Sequence, residues 1–238
     1  MSVLPWQTGK VIRLEDETYN TRRFWIEVQD EETFNFIPGQ FVTLDLPIHE
    51  KPGKRWRSYS IASWPDGSGV FELLIVLLEG GAGSTYLFNE VVVGSELTLR
   101  GPLGHFILQP EHLSKNIFMI CTGTGIAPFR SMVHHISRNN LPHQNIYMVF
   151  GCRTQDDLLY HDEMNGLALE NFHYLPTLSR GEWEGRKGYV HALYEEQCGG
   201  KPEAEFFLCG WKNMIDEAKE RILAMGYDKK SIHLELYG

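Results

Sequence analysis

The hydrophobic pattern of the chain changes its period near residue 110. Before that point apolar residues come in short alternating or continuous stretches, "GKVIRL", "FWIEVQ", "QFVTLDL", "RSYSIAS", "VFELLIVLL" and "ELTLRG", punctuated by proline and glycine. Such stretches predict an antiparallel β-barrel or sandwich, with one helix near "STYLFNEV". After it, apolar strands ("NIFMIC", "NIYMVFG", "FHYLPTL", "EFFLCG", "IHLELY") alternate with helical segments such as "PFRSMVHHISRNN", "VHALYEEQC" and "NMIDEAKERILAMG". That rhythm predicts an α/β doubly wound parallel sheet with helices on both faces. The expected domains are residues 1–110 and 111–238, with "LQPEHLSKN" as the linker. A chain of 238 residues, 42% of them hydrophobic, is long enough to give each domain a core of its own.

Composition excludes several classes. The net charge of −9 is shared between the halves, with 9 Lys/Arg against 14 Asp/Glu in residues 1–110 and 13 against 17 in residues 111–238. No basic face is concentrated for phosphate contact, so nucleic acid is not an expected partner. The start "MSVLPWQTGK" lacks the layout of a signal peptide, and "FELLIVLL" is too short to span a bilayer, so membrane insertion is not expected and a cytoplasmic location is. Cys121, Cys152, Cys198 and Cys209 form no C-x-x-C pair, which argues against a zinc site, a disulfide framework or an iron–sulfur cluster. None of the ten histidines pairs with another residue at metal-ligand spacing along the chain, and no metal is expected. The adjacent His134 and His135 point to different sides of a helix, and His105 alone is placed near the edge of the first domain.

The stretch "CTGTGIAPFR", residues 121–130, follows a predicted strand and opens a predicted helix. Gly123 and Gly125 permit a tight turn and close backbone approach, and Pro128 suits a first helical turn. The freed amides of such a turn face an anion. The pattern is G-x-G-x-x-P, without the third glycine of the usual dinucleotide fingerprint, so a turn that merely starts a helix competes with a nucleotide loop. A second signal lies in the other half. In "RWRSYSIAS", Arg57 and Tyr59 point to one face of a strand and Ser60 to the other. These are the parts a flat redox ring on a diphosphate tail needs: a guanidinium for phosphate, an aromatic plate for stacking, a hydroxyl for a ring nitrogen. "EGGAGSTYL" adds a second anion cradle at Gly81, Gly83 and Ser84. Two cradles imply two nucleotides.

In their order along the chain, "RSYSIAS", "GGAGSTYL", "GPLGHF", "TGTGIAPFRSM", "VFGCRTQDDLLY", "LSRGEWEGRKGYV", "CGWKNMI" and the terminal "ELYG" resemble the ferredoxin-NADP reductase family over nearly the whole length. The resemblance implies an N-terminal FAD-binding β-barrel and a C-terminal NADP(H)-binding α/β domain, with flavin and nicotinamide meeting at the cleft between them. It implies that Arg57 binds the FAD pyrophosphate, Tyr59 stacks on the flavin and Ser60 stands near the reactive flavin nitrogen. Backbone around Leu74 and Ile75 borders the flavin, while Ala82, Gly83 and Ser84 hold the pyrophosphate. Thr122, Gly123 and Thr124 meet the nicotinamide nucleotide, and Cys209 and Gly210 lie beside the nicotinamide carbon that gives up hydride. Glu235 supplies a proton path, and Tyr237 covers the other flavin face until nicotinamide displaces it.

Preference between nicotinamide cofactors has its own chemistry. A 2′-phosphate calls for cations and hydrogen-bond donors, a free ribose for a carboxylate. Ser179 and Arg180 stand where NADP-using relatives carry Ser-Arg, with Arg186 and Lys187 near in sequence and Arg153 a less specific match, so NADP(H) is expected over NAD(H). Two departures bear on how nicotinamide reaches the flavin. Trp211 and Lys212 replace a proline-rich turn, Trp211 either packing on Met214 or lining the nicotinamide channel, and Gly238 follows the tyrosine that often ends the chain.

With no fused iron–sulfur motif, the expected electron partner is a separate ferredoxin or flavodoxin, met by a basic patch at "KPGKRWR" with Arg22 and Arg23. Two alternatives stand beside an NADPH-dependent ferredoxin or flavodoxin reductase. One is an NAD(P)H-dependent flavin reductase or the reductase component of an oxygenase. The other is a nucleotide-binding regulatory module without turnover, which would have no use for Ser60, Cys209 and the Glu-x-Tyr end.

Overall fold

A computed structural model describes residues 4–29 and 31–237; Gly238 lies outside the described residues. Contacts divide the chain into two units, Met1–Ile107 with Arg130–His135, and Leu108–Phe129 with Ile136–Gly238.

The first unit is an antiparallel barrel. Its strands are β1 (Gln7–Thr18), β2 (Thr21–Val28), β3 (Phe41–Asp45), β4 (Trp56–Ser60), β5 (Val70–Val76) and β6 (Glu96–Leu103), ordered β4-β3-β6-β1-β2-β5. An antiparallel bridge between Ile61 and Leu73 joins the end of β4 to β5 and closes the sheet on itself. The bridge ties the two terminal strands together at that one pair. The inward residues of the alternating strands, among them Val11, Phe24, Ile26, Leu44, Phe71, Leu73 and Leu99, form one core. Helix α1 (Ala82–Asn89) covers it through Leu87.

One polar group is set deep in this unit. Glu72, 2% exposed, faces away from the core residues Phe71 and Leu73 that flank it on β5. It accepts hydrogen bonds from Arg23 Nε at 2.7 Å and Arg130 Nη1 at 3.0 Å, and Arg130 also donates to the Ala62 carbonyl at 3.0 Å. A carboxylate so buried is tolerated only when its oxygens are met by donors of opposite charge.

The second unit is a parallel sheet ordered β10-β9-β8-β7-β11-β12, built from β7 (Asn116–Thr122), β8 (Ile146–Cys152), β9 (Phe172–Leu178), β10 (Arg186–Lys187), β11 (Ala204–Trp211) and β12 (Ile232–Tyr237). Helices α2 (Ala127–Arg138), α3 (His161–Asn165), α4 (His191–Gln197) and α5 (Lys212–Ala224) lie between the strands in sequence. The central strands are buried on both faces and therefore read as near-continuous apolar runs, interrupted in β11 by Glu205. Phe118 stacks on Tyr147 and Phe206, with ring centroids 4.8 and 5.1 Å apart. Strand order runs outward from β7 through β8, β9 and β10, then reverses to β11 and β12. The reversal point, between β7 and β11, is where open α/β sheets bind ligands at their carboxyl ends.

No helix is long and apolar enough to cross a membrane among the described residues. The expected barrel, single barrel helix and doubly wound sheet are all present. The short α3 and the two-residue β10 are additions that hydrophobic period does not reveal.

Replacing Glu72 with alanine removes the buried carboxylate to which Arg130 Nη1 and Arg23 Nε donate. Urea unfolding at saturating FAD is expected to show a loss of about 3 kcal/mol, and a loss below about 1 kcal/mol would contradict the assignment of this ion pair to the buried class.

Candidate functional site

The residues named from the sequence fall into two groups, one in each unit.

In the barrel, β4 carries Arg57, Tyr59 and Ser60, and β3 pairs with it residue by residue from Asp45↔Trp56 to Phe41↔Ser60. The Arg57 stem lies over Gly83: a Cβ built on that glycine would stand 2.9 Å from Arg57 Cγ and 3.1 Å from its Nε. Only glycine lets the guanidinium lie against the start of α1. Arg57 Nη1 donates to the carbonyls of Lys54 and Trp56 at 3.1 and 2.7 Å, leaving Nε and Nη2 without a partner among the described residues. Helix α1 begins at Ala82 after Gly81, with no side-chain cap and no acidic residue in its first turn. Amides without a cap and an arginine with two free donors together form an anion cradle, which fits a pyrophosphate.

Ser84 offers its backbone rather than its side chain. Its hydroxyl donates to the Gly81 carbonyl at 3.0 Å and accepts from Leu78 N–H at 3.1 Å, so it shapes the loop, and its backbone amide is what remains for an anion. Tyr59 is half-buried and packs on the barrel core; burial, opposed by the Arg57 charge, pushes its hydroxyl up to about 12, so the ring stays neutral. Ser60 is 4% exposed. Leu74 and Ile75 are buried, and their backbone pairs only with Arg23 and Arg22 of β2, so past Leu73 the second edge of β5 carries no ladder partner among the described residues.

In the parallel unit, the glycine loop runs off β7 as a 3-10 turn, Gly123–Ile126, directly into α2. Gly123 has φ +53 and open space where a side chain would stand, the nearest atom being Trp211 Nε1 at 3.9 Å. Gly125 is confined: a Cβ there would come within 2.5 Å of the Cys209 carbonyl oxygen. Gly210 has φ +132, and its Cβ would strike Thr122 Oγ1 at 2.5 Å. The loop after β7 and the end of β11 are thus in backbone contact. The Thr122 hydroxyl accepts from Trp211 N–H at 3.3 Å, while Thr122, Gly123 and Thr124 remain half-buried.

Cys209 is fully buried, paired in the ladders with Cys121 on one side and Glu235 on the other. Burial, reinforced by the Glu235 carboxylate and by Cys121, pushes its thiol well up, so it is a neutral thiol at physiological pH. Tyr237, half-buried, stands opposite Trp211. Met214, named from the sequence among the cofactor contacts, is partly buried and packs against the core of this unit. Trp211 is 55% exposed, and its Nε1 stands 3.9 Å from where a Cβ would lie on Gly123 of the glycine loop.

At the ends of β8 and β9, Ser179 N–H and Oγ both bond the Cys152 carbonyl, at 3.0 and 3.2 Å, and Arg180 N–H bonds the Arg153 carbonyl at 2.7 Å. Arg153 and Arg180 are therefore held side by side. Both are exposed, and neither side chain has a hydrogen-bond or ion-pair partner among the described residues. Arg186 and Lys187, expected to help, are paired with Glu196 and Glu182. The expected basic run is similarly reduced, since Arg55 pairs with Asp45, Arg22 with Asp16 and Arg23 with Glu72, leaving Lys51, Lys54 and Arg57 without a carboxylate partner among the described residues.

Sequence spacing missed one cluster: His112, Glu205 and His233, separated in the chain, place their ligand atoms within 4.8 Å of one another. Only the alignment of β11 with β12 and the linker turn brings them together.

An FAD-type cradle on a barrel and a glycine loop at the switch point of a parallel sheet define a flavin- and nicotinamide-dependent oxidoreductase. Residues 8–107 match the oxidoreductase FAD-binding domain family and residues 119–220 the oxidoreductase NAD-binding domain family. The chain is 38% identical over 227 residues to ferredoxin–NADP reductase B of Sorangium cellulosum (strain So ce56), covering 91% of each. It is 31% identical over 196 residues to the anthranilate 1,2-dioxygenase electron transfer component of Acinetobacter baylyi (strain ATCC 33305 / BD413 / ADP1), covering 80% of this chain and 55% of that one. The crystal structure of the Amycolatopsis cytochrome P450 reductase GcoB superposes with a TM-score of 0.85 at 25% identity, covering 99% of this chain and 71% of that one. The chain belongs to the ferredoxin-NADP reductase family, and its cofactors are FAD and a nicotinamide dinucleotide.

The two glycines of the loop are predicted to respond differently to a methyl group. Gly123→Ala is expected to cost about 1 kcal/mol, the strain of a left-handed backbone with nothing in the way, whereas Gly125→Ala should cost about 3 kcal/mol because backbone must move. Thermal unfolding of both variants checks this, and an equal or reversed order would contradict the close approach of β7 and β11.

Proposed function

We propose that the protein is an NADPH-dependent reductase that passes single electrons from bound FAD to a separate ferredoxin or flavodoxin, with domains divided near residue 110. The observation that carries the NADPH preference is the side-by-side, unpaired Arg153 and Arg180 at the ends of β8 and β9. Two guanidiniums without counter-charges suit a dianionic 2′-phosphate and offer a free ribose hydroxyl no carboxylate. Ser179, whose donor is already engaged, retains lone pairs and holds the two strand ends together.

When bound, the nicotinamide and flavin supply hydride transfer, and the flavin divides the electron pair into single electrons. The chain's part is placement. In this reading Arg57 and the α1 amides hold the FAD pyrophosphate, Tyr59 stacks on the ring, and Ser60 and backbone at Leu74 and Ile75 border it. Thr122, Gly123 and Thr124 hold the nicotinamide nucleotide, and Cys209 and Gly210 shape the surface on which its ring lies. Cys209 acts as a neutral, buried wall, since its raised thiol is no nucleophile. Glu235 relays a proton, and Tyr237 covers the flavin until nicotinamide arrives.

The Sorangium relative, named as a ferredoxin–NADP reductase, supports the acceptor. A second reading, the reductase component of an oxygenase, draws on the Acinetobacter relative, of which this chain spans only 55%. Turnover with purified ferredoxin, flavodoxin or an oxygenase component as acceptor separates these readings, and retention of FAD through purification sets both apart from a flavin reductase, which releases its flavin.

Arg180→Ala, with Arg153→Ala as its companion, is expected to raise the KM for NADPH at least tenfold while leaving that for NADH within about threefold, a shift of about 1.4 kcal/mol or more confined to the phosphorylated cofactor. Equal losses with both cofactors would remove the basis for the NADPH assignment.

A further inference from the structure

Glu205 is an oddity in its strand. It is the second residue of β11, whose residues 204–210 are all buried, and it is itself 5% exposed. The parallel ladder needs no carboxylate there, and one so buried must be met by donors. Lys115 Nζ binds Oε1 at 2.6 Å and His233 Nε2 faces Oε2 at 3.0 Å. His112, on the 3-10 turn Pro110–Ser114, completes the group, its ring centroid 4.8 Å from that of His233.

We propose that His112, Glu205 and His233 form a binding site for a zinc-type divalent cation, distinct from the nucleotide sites. Two imidazoles and a carboxylate are the donor set such ions take, with water in the remaining position. Donor atoms about 2.1 Å from a shared ion, at angles of about 90–110°, stand about 3.0–3.4 Å apart. The Nε2 to Oε2 separation of 3.0 Å already meets that span. The cluster's outer limit of 4.8 Å means that His112 closes in by rotating its ring.

The surroundings hold the donors in place. His233 stacks on Phe207, ring centroids 4.3 Å apart and 18° from parallel, and His112 meets the same ring edge-on at 5.5 Å. Lys115 fixes Oε1 and turns Oε2 toward the histidines, the role played by hydrogen-bonded groups behind a ligating carboxylate. In the ion-free protein Gln109 N–H donates to His112 Nδ1 at 3.1 Å, so ligation exchanges that cap for the ion. A bound cation would clip the 110–114 turn to the amino ends of β11 and β12. Glu205 lies four residues before Cys209 on one strand, roughly 13 Å away at the rise of a parallel strand.

Equilibrium dialysis of chelator-treated, FAD-loaded protein against zinc chloride, with bound metal counted by elemental mass spectrometry, tests the site. One zinc per chain is expected, with at least tenfold weaker binding in His233→Ala and in His112→Ala. No stoichiometric zinc in the wild type, or undiminished zinc in folded variants, would overturn the proposal. Should the variants not fold, long-range 1H–15N spectra of the wild-type histidine rings decide: zinc must move His112 and His233 and leave the other rings in place, and any other set of shifted rings sinks the assignment.

Discussion

The arrangement of the parallel unit depends on the backbone contact between the loop after β7 and the end of β11. At Gly125 a single methyl group would overlap the Cys209 carbonyl, and at Gly210 it would overlap the Thr122 hydroxyl. Because no side chain stands between them, the loop turns directly into α2, and its amides are left at the carboxyl end of the sheet where strand order reverses. The surface proposed to receive the nucleotide is a consequence of that approach. The same device appears in the barrel, where Gly83 admits the Arg57 stem against the start of α1. In the proposed function, each unit uses an absent Cβ to bring donors to an anion.

Charge pairing determines which of the many surface cations are available. Arg22, Arg23, Arg55, Arg186 and Lys187 all have carboxylate partners. Arg153 and Arg180 do not, and Arg57 is engaged only by carbonyls through one nitrogen. Exposed pairs contribute little to stability, but they remove charge from where a ligand could meet it. In a chain of net charge −9 the unpaired guanidiniums are therefore informative about where phosphate is received. The buried Glu72 group is different in kind, because its worth lies in avoiding an uncompensated charge in the interior.

Much of this was legible in the residues. The strands "FHYLPTL" and "IHLELY" coincide with β9 and β12, because burial on one or both faces leaves a periodic trace. The glycines of "CTGTGIAPFR" announced a close approach, since few other constraints require glycine beside a strand end. What the sequence could not convey is the partner each polar group finds. The Ser84 and Ser179 hydroxyls turn inward to their own loops, and the basic run "KPGKRWR" is partly neutralised by Asp45. Those pairings depend on strand register, as does the meeting of His112, Glu205 and His233, which come from the linker and two neighbouring strands.

The central claim is that this chain holds FAD in the barrel and receives NADPH, in preference to NADH, on the parallel sheet. The visible spectrum of the purified protein, followed by separate anaerobic titrations with NADPH and NADH, tests it most directly. The account predicts a bound yellow flavin that bleaches at far lower NADPH than NADH. A colourless protein that FAD cannot reconstitute would contradict the flavin site at Arg57 and Tyr59, and a flavin bleached equally by both nucleotides would contradict the part assigned to Arg153 and Arg180.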